Sequence, residues 1–293
     1  MADPAHEALA RRAGMPGVTM LIGGLDTGKT TVAMEAVRHA LAAGHRPVLV
    51  DADIGISTVG PPACVGLKVF EDESDLETTH EPESLHFVGA ISSSRLVLQQ
   101  VVATAVMVER ARHLGDVIIV DTTAVSSGVS GETLKYHKTE LCRPDLVIAL
   151  QRGEEMEPVV GMLRRFLDAE VVTASTDPGL IPLGPDDRAR RRADAFAEAL
   201  RPPLERWKVR PTVFAPTLPV GLDLDRLDGV LVGVQDGSGG CLGLGILQVE
   251  DDTLRVMTNV GEGMKGLRLG SIRIDPDSYD GTVINLRELM FGI

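Results

Sequence analysis

Short apolar runs alternate with longer amphipathic stretches through most of the chain. Val18–Ile22, Pro47–Asp53, Asp116–Asp121 and Leu146–Leu150 each read as a buried strand, brief, rich in Val, Ile and Leu, and bounded by polar residues or glycine. Between them the pattern turns helical: Thr31 to Ala43, closed by Gly44; Leu96 to Leu114, with Val97, Val101, Val102 and Val106 apolar and Ser92, Ser93 and Ser94 as available caps; and Leu134 to Cys142. Leu85–Ala90 gives a further strand, and the acidic stretch Glu71–Glu83 an exposed loop. Strands alternating with helices imply right-handed crossovers and a parallel sheet whose ligands sit at the carboxyl ends of its strands.

The pattern changes towards the C-terminus. Pro185–Arg201 is helical and basic, carrying Arg188, Arg190, Arg191, Arg192 and Arg201, and two prolines follow. Beyond them lie the runs Gly229–Val234, Leu242–Val249, Leu254–Asn259 and Ser271–Ile274, split by glycine and aspartate. They predict a small, mostly antiparallel β domain, with Gly237-Ser238-Gly239-Gly240 as a hairpin loop. The expected organisation is an α/β domain over residues 1–205 and a β-rich domain over 206–293.

Gly23 to Thr30 reads Gly-Gly-Leu-Asp-Thr-Gly-Lys-Thr, the spacing G-x-x-x-x-G-K-[ST] of a phosphate-binding loop, placed between a strand and a helix as that motif requires. The predicted fold class is therefore a P-loop NTPase: a mostly parallel sheet flanked by helices, with the small β-rich domain attached. Glycines let backbone amides converge on phosphate oxygens, and the helix N-terminus adds partial positive charge. Gly24, Leu25, Asp26, Thr27, Gly28, Lys29, Thr30 and Thr31 are the expected nucleotide-binding residues. Lys29 would reach the β- and γ-phosphates of ATP, and the Thr30 hydroxyl would ligate Mg²⁺.

Composition narrows the partners. With 29 basic against 42 acidic residues the formal charge is −13, which argues against a long footprint on duplex nucleic acid. It leaves room for recognition of one strand end by a few local arginines. The N-terminus lacks a signal-peptide pattern, and no apolar run approaches the ~20 residues needed to span a bilayer. Cys64, Cys142 and Cys241 lie far apart without metal or disulfide spacing, as expected of buried fillers in a reducing cytoplasm.

Acids cluster at the predicted sheet edge. Asp51 and Asp53 end one strand and Asp121 another. One carboxylate of the Asp-x-Asp pair can join the Mg²⁺ shell while the other accepts a proton from an attacking hydroxyl. Asp53, beside Gly55, is the expected general base, which leaves Asp51 and Asp121 with Thr30 around the metal. The alternatives are that Asp51 and Asp53 merely end a strand in solvent and that Asp121 caps a turn. Arg188 and Arg192 are spaced i,i+4, on one helix face, and could together neutralise charge on a phosphate; the alternative is a solvated face.

Taken together, Gly-x-x-Asp-x-Gly-Lys-Thr, Val50-Asp51-Ala52-Asp53-Ile54-Gly55, Gly60-Pro61-Pro62 and Gly66-Leu67 resemble the polynucleotide 5′-hydroxyl kinase family, that of the Clp and Grc RNA kinases. Asp121-Thr122-Thr123, Gly128, Gly131, Leu134-Lys135, Lys138 and Pro144-Asp145 look like the family's next block, and the resemblance covers roughly residues 17–200. It implies ATP-dependent phosphorylation of the 5′-hydroxyl of single-stranded RNA or DNA. It also implies that Lys29 and Thr30 serve the triphosphate and Mg²⁺, that Asp53 activates the hydroxyl, that Thr122 lies in the clasp around the phosphates, and that Arg188 and Arg192 form a lid at about 180–201. The chain departs from the family where Ile56 replaces a glutamine and where the clasp reads Thr122-Thr123-Ala124-Val125 in place of Thr-x-Gly and an aromatic. Those departures favour an alternative, an ATP-binding switch or scaffold of the same fold. The C-terminal domain is open to substrate, to a protein partner or to a covering role.

Overall fold

The computed structural model describes residues 4–92, 94–124, 128–177, 179–251 and 253–291, the side chains of Pro4 and Ala5 apart. In chain order the elements begin with α1 (Pro4–Ala13), β1 (Gly17–Gly23), α2 (Lys29–Ala42), β2 (Pro47–Ala52), β3 (Cys64–Val69) and β4 (Ser84–Phe87). They continue with α3 (Val97–Ala111), β5 (Val117–Thr122), α4 (Val129–Cys142), β6 (Leu146–Gln151), α5 (Glu157–Phe166), β7 (Glu170–Ser175) and α6 (Pro185–Ala199). The last are β8 (Glu205–Lys208), β9 (Val230–Gln235), β10 (Cys241–Glu250), β11 (Thr253–Thr258), β12 (Gly266–Ile274), β13 (Gly281–Val283) and α7 (Leu286–Phe291). Contacts divide the chain into two compact units.

The first unit comprises Met1–Gly60, Val65–Glu83 and Ser92–Leu183. Its strands run in the order β3-β2-β5-β1-β6-β7, all parallel except β3, which is antiparallel to β2. Leu21, Leu49, Ile119 and Ile148 pack against Ala33, Ala36, Val37 and Ala40 of α2, which α1 covers in turn. The alternate residue Met20 faces α4, whose Thr139 Oγ1 lies 3.5 Å from its sulfur. Strand alternation therefore gives each sheet face a helix layer, as the predicted α/β class requires. Every residue of β2 and β5 is buried, which is why these strands read as unbroken apolar runs.

Seven elements were not expected from the pattern: α1, β3, α5 and β7 here, and β8, β13 and α7 nearer the C-terminus. In β3, Gly66 and Lys68 interrupt the apolar run although all six residues are buried. Gly66 is a packing requirement, since a Cβ there would lie 2.1 Å from the Val59 carbonyl oxygen. The α3 helix starts at Val97 after Leu96 in the left-handed region (φ 49°), with no side-chain cap. Of the three serines expected to cap it, Ser93 lies outside the described residues.

The second unit comprises Pro61–Cys64, Ser84–Ile91 and Gly184–Ile293. Its strands follow the order β13-β12-β9-β10-β4, with β11 pairing both β10 and β8, and all these pairs are antiparallel. The expected hairpin loop joins β9 to β10, closed by Asp236 Oδ1 accepting from the Ser238 and Gly240 amides at 2.7 and 3.0 Å. Phe196 and Leu200 are buried with Phe87, Leu231 and Leu244. Contacts thus group α6 with the strands from Gly184 onward, whereas the 205/206 boundary follows the change in composition. All three cysteines are free and buried, and among the described residues no helix is long and apolar enough to cross a membrane.

Candidate active site

The carboxyl edge of the first unit's sheet holds the phosphate loop. Parallel register sets Asp121 of β5 level with Leu21 of β1 on one side and with Asp51 of β2 on the other. After β1 the loop turns through Asp26 (φ 52°) and Gly28 (φ 87°), and α2 begins at Lys29 with its first amides unbonded within the helix, as an anion site requires. Lys29 is buried, its Nζ donating to the Gly24 carbonyl at 2.7 Å and reaching Gly23 O and Thr27 Oγ1 at 3.5 Å. Burial lowers its pKa against the opposing pull of Asp121, Asp53 and Asp26. Thr27 closes the turn onto Gly24 at 3.1 Å, while Leu25 and Thr31 are exposed.

Three groups outside the motif hold the loop. Arg152 Nη2 donates to the Asp26 carbonyl at 2.7 Å, and the Leu183 amide donates to Asp26 Oδ2 at 3.2 Å. Leu180 lies against Gly28, its Cδ1 3.1 Å from where a Cβ would project.

Thr30 and Asp121, both expected at the metal, meet at this edge. Thr30 Oγ1 donates to Asp121 Oδ2 at 2.5 Å, whereas Asp121 Oδ1 is buried with no hydrogen-bond partner among the described residues. A hydroxyl beside a carboxylate with one oxygen uncommitted is a hard-oxygen donor set that fits Mg²⁺ retaining part of its water shell. Burial pushes Asp121 up to about 6, opposed by Lys29 and the Thr30 bond.

The Asp-x-Asp pair divides its roles. Asp51 is buried and accepts from three backbone amides: Asp53 on Oδ1 at 2.9 Å, and Thr58 and Val59 on Oδ2 at 2.5 and 2.9 Å. Expected in the metal shell, it is instead engaged as the clamp of the loop 53–59. Burial, with Asp121 and Asp53 nearby, pushes its carboxyl well above the ordinary range. The strand stops at Ala52, so Asp53 opens the loop, partly exposed. Its Oδ1 accepts from the Gly55 amide at 2.9 Å and the Ile56 amide at 3.4 Å.

Beyond β5, the Thr122 hydroxyl, expected at the phosphates, donates to the Leu21 carbonyl at 2.7 Å and accepts from Lys135 Nζ at 2.6 Å. It is fully buried and holds the strand end rather than facing the loop. Val125, on which the altered clasp rests, lies outside the described residues. Arg188 and Arg192 are half-buried and one turn apart on α6, in the second unit.

This geometry coincides with a known sequence family. Residues 23–200 match the family described as mRNA cleavage and polyadenylation factor CLP1 P-loop. The chain belongs to the CLP1 P-loop family. Among its relatives, a polyribonucleotide 5′-hydroxyl-kinase of Thermococcus kodakarensis is 27% identical, the alignment covering 94% of this chain and 93% of that protein. Those of Pyrococcus furiosus and Methanocaldococcus jannaschii are 25% and 24% identical, covering 94% and 89% of this chain and 87% and 88% of their own. The fold is similar to that in a solved Clp1p–Pcf11p complex, with a TM-score of 0.71 at 15% identity over 92% of this chain and 78% of that one.

Sequence reasoning assigned no site role to four residues of this CLP1-family chain that touch the site: Lys135, Lys138, Arg152 and Leu180. The lysines had a readable signal, two cations at i,i+3 on a helix face otherwise made of Gly131, Leu134, Thr139 and Cys142. Arg152 and Leu180 had none, since their roles depend on where distant loops return.

Proposed function

We propose that this chain is an ATP-dependent polynucleotide 5′-hydroxyl kinase, transferring the γ-phosphoryl group of ATP to the 5′-hydroxyl of single-stranded RNA or DNA. The observation that carries it is one sheet edge bearing a phosphate loop, a hydrogen-bonded Thr30–Asp121 pair and a partly exposed carboxylate, Asp53, in a chain aligned along almost its whole length with polyribonucleotide 5′-hydroxyl-kinases. Loop amides and Lys29 cradle the β- and γ-phosphates. Thr30 and Asp121 would hold Mg²⁺, which when bound offsets negative charge on the phosphates. Asp53 accepts the proton of the 5′-hydroxyl as its oxygen bonds to the γ-phosphorus, and the bond to the β-γ bridging oxygen breaks to leave ADP. Arg188 and Arg192 close over the transferring group as a lid. The reaction suits a cytoplasmic protein, and the β-rich unit is the part available to a substrate strand or a protein partner.

The test is incubation with γ-labelled ATP and 5′-hydroxyl oligonucleotides. Wild type should label the 5′ end; Lys29→Ala and Asp53→Asn should not. Asparagine retains an oxygen for the Gly55 and Ile56 amides, so Asp53→Asn should fold and melt like wild type while losing the base. The second reading, an ATP-bound switch, is favoured by Ile56 at the glutamine position; ATP binding without label transfer, across metals and temperatures, would select it.

A further inference from the structure

Two fully buried lysine side chains lie beneath the site, both from α4. Lys135 Nζ donates to Thr122 Oγ1 at 2.6 Å and to the Thr123 carbonyl at 2.5 Å. Lys138 Nζ reaches the Ala52 carbonyl at 3.5 Å. All of these acceptors are neutral, and burying a lysine amine, charged or not, with so few partners is expensive. An apolar side chain of similar length would fill the same space at lower cost, so packing does not explain them.

Their acceptors do. Thr122 and Thr123 directly follow Asp121 at the end of β5, and Ala52 stands between Asp51 and Asp53 at the end of β2. The Thr122 hydroxyl continues to the Leu21 carbonyl at 2.7 Å, just ahead of the phosphate loop. One helix face thus fastens the strand ends that carry the metal-side acid, the acceptor-side acid and the phosphate loop. Burial lowers the pKa of both lysines, that of Lys138 to about 8, and at Lys135 the neighbouring Lys138 and Lys29 lower it further; Asp53 and Asp121 oppose the lowering at both.

We infer that Lys135 and Lys138 are positioning residues for phosphoryl transfer, pinning the ends of β5 and β2 so that Asp121 and Asp53 keep their working separation. Neither lysine touches substrate in this role, and Lys135, with two short bonds, carries more of it. The inference rests on the kinase reading and goes beyond it by assigning the support of the acids to α4.

The test compares wild type with Lys135→Met and Lys138→Met, which keep side-chain length without charge. It measures kcat and KM for a 5′-hydroxyl oligonucleotide, affinity for a non-hydrolysable ATP analogue, melting temperature, and amide hydrogen exchange in peptides over 118–124 and 48–56. Misplacement of a reacting group by ~1 Å costs on the order of 10²-fold, so Lys135→Met should lower kcat by about that factor, and Lys138→Met by less. Analogue affinity should stay at the wild-type value, melting temperature should hold or rise, and exchange should quicken over 118–124 in Lys135→Met and over 48–56 in Lys138→Met. Unchanged kcat overturns the inference, as does loss of kcat, analogue binding and thermal stability together, which marks a merely structural role. If wild type itself transfers no label, the kinase reading fails, and hydrogen exchange alone judges the pinning: unchanged exchange in Lys135→Met overturns it.

Discussion

Gly66→Ala should unfold the first unit well below the wild-type melting temperature and disturb the acceptor side with it. The added Cβ would lie 2.1 Å from the Val59 carbonyl oxygen and 2.9 Å from Val59 Cγ1. Bringing the first contact from 2.1 to an ordinary 3.4 Å requires a retreat of about 1.3 Å. Val59 is not free to make it, because its amide and that of Thr58 are bonded to the buried Asp51 carboxylate at 2.9 and 2.5 Å. Gly66 is not free either, being paired with Asp51 in the β2–β3 ladder. Overpacking costs ~1–3 kcal/mol, and weakening one hydrogen bond to the Asp51 carboxyl about 0.5–1.5 more. At ~2–4 °C per kcal/mol for a domain of this size, the melting temperature should fall by roughly 10 °C. Gly161→Ala is the control, since a Cβ there meets nothing within 4 Å in α5. It should stabilise by ~0.5–1 kcal/mol. Differential scanning calorimetry measures both, and label transfer reports on Asp53. A Gly66→Ala protein melting within about 2 °C of wild type would refute the steric reasoning.

Arg192→Ala should lower turnover far more than ATP affinity, because a lid arginine acts on charge that develops during transfer; unchanged kcat would remove Arg192 from the lid. His86 gives the pH dependence. Burial and the nearby Arg268 lower its pKa from 6.5, and its buried Nδ1 has no hydrogen-bond partner among the described residues. The folded state therefore favours the neutral ring, so the stability it contributes is full above the unfolded value of about 6.5 and is lost as pH falls below it. His86→Gln should melt with a shallower decline between roughly pH 7.5 and 5.5, and parallel melting-temperature curves would rule His86 out as the source.

β1, β2, β5 and β6 were legible because burial on both faces leaves almost no polar residue to break their runs. The elements that escaped are those where this condition fails. Gly66 and Lys68 interrupt β3, and β7 is half exposed, so Glu170, Thr173 and Ser175 dilute its apolar signal. In α5 the signal was present, with Val159, Val160 and Leu163 buried on one face, but the segment is short and opens on a proline. The phosphate loop was fully legible, since its spacing encodes a backbone shape. That Thr30 and Asp121 meet at one edge was legible too, because parallel pairing of β1 and β5 brings the start of α2 beside the end of β5.

The division of labour between Asp51 and Asp53 was not legible, and the reason is specific. Alternation along a regular strand says only that two acids at i,i+2 share a face, and it ceases to apply where the strand stops, which is at Ala52. What separates them is the return path of residues 58 and 59, whose amides saturate Asp51 and leave Asp53 on the partly exposed side. Nor does the net charge of −13 describe this edge. Here Asp51, Asp53 and Asp121 lie near Lys29, Lys135 and Lys138, where burial lowers the pKa of all three lysines and the acids oppose it. Removing one member of such a set also changes the field felt by the others, so single substitutions report that change as well as the lost contact. The separate roles of these six groups are therefore resolved by paired substitutions, acid with lysine, in which the charge is removed from both sides at once.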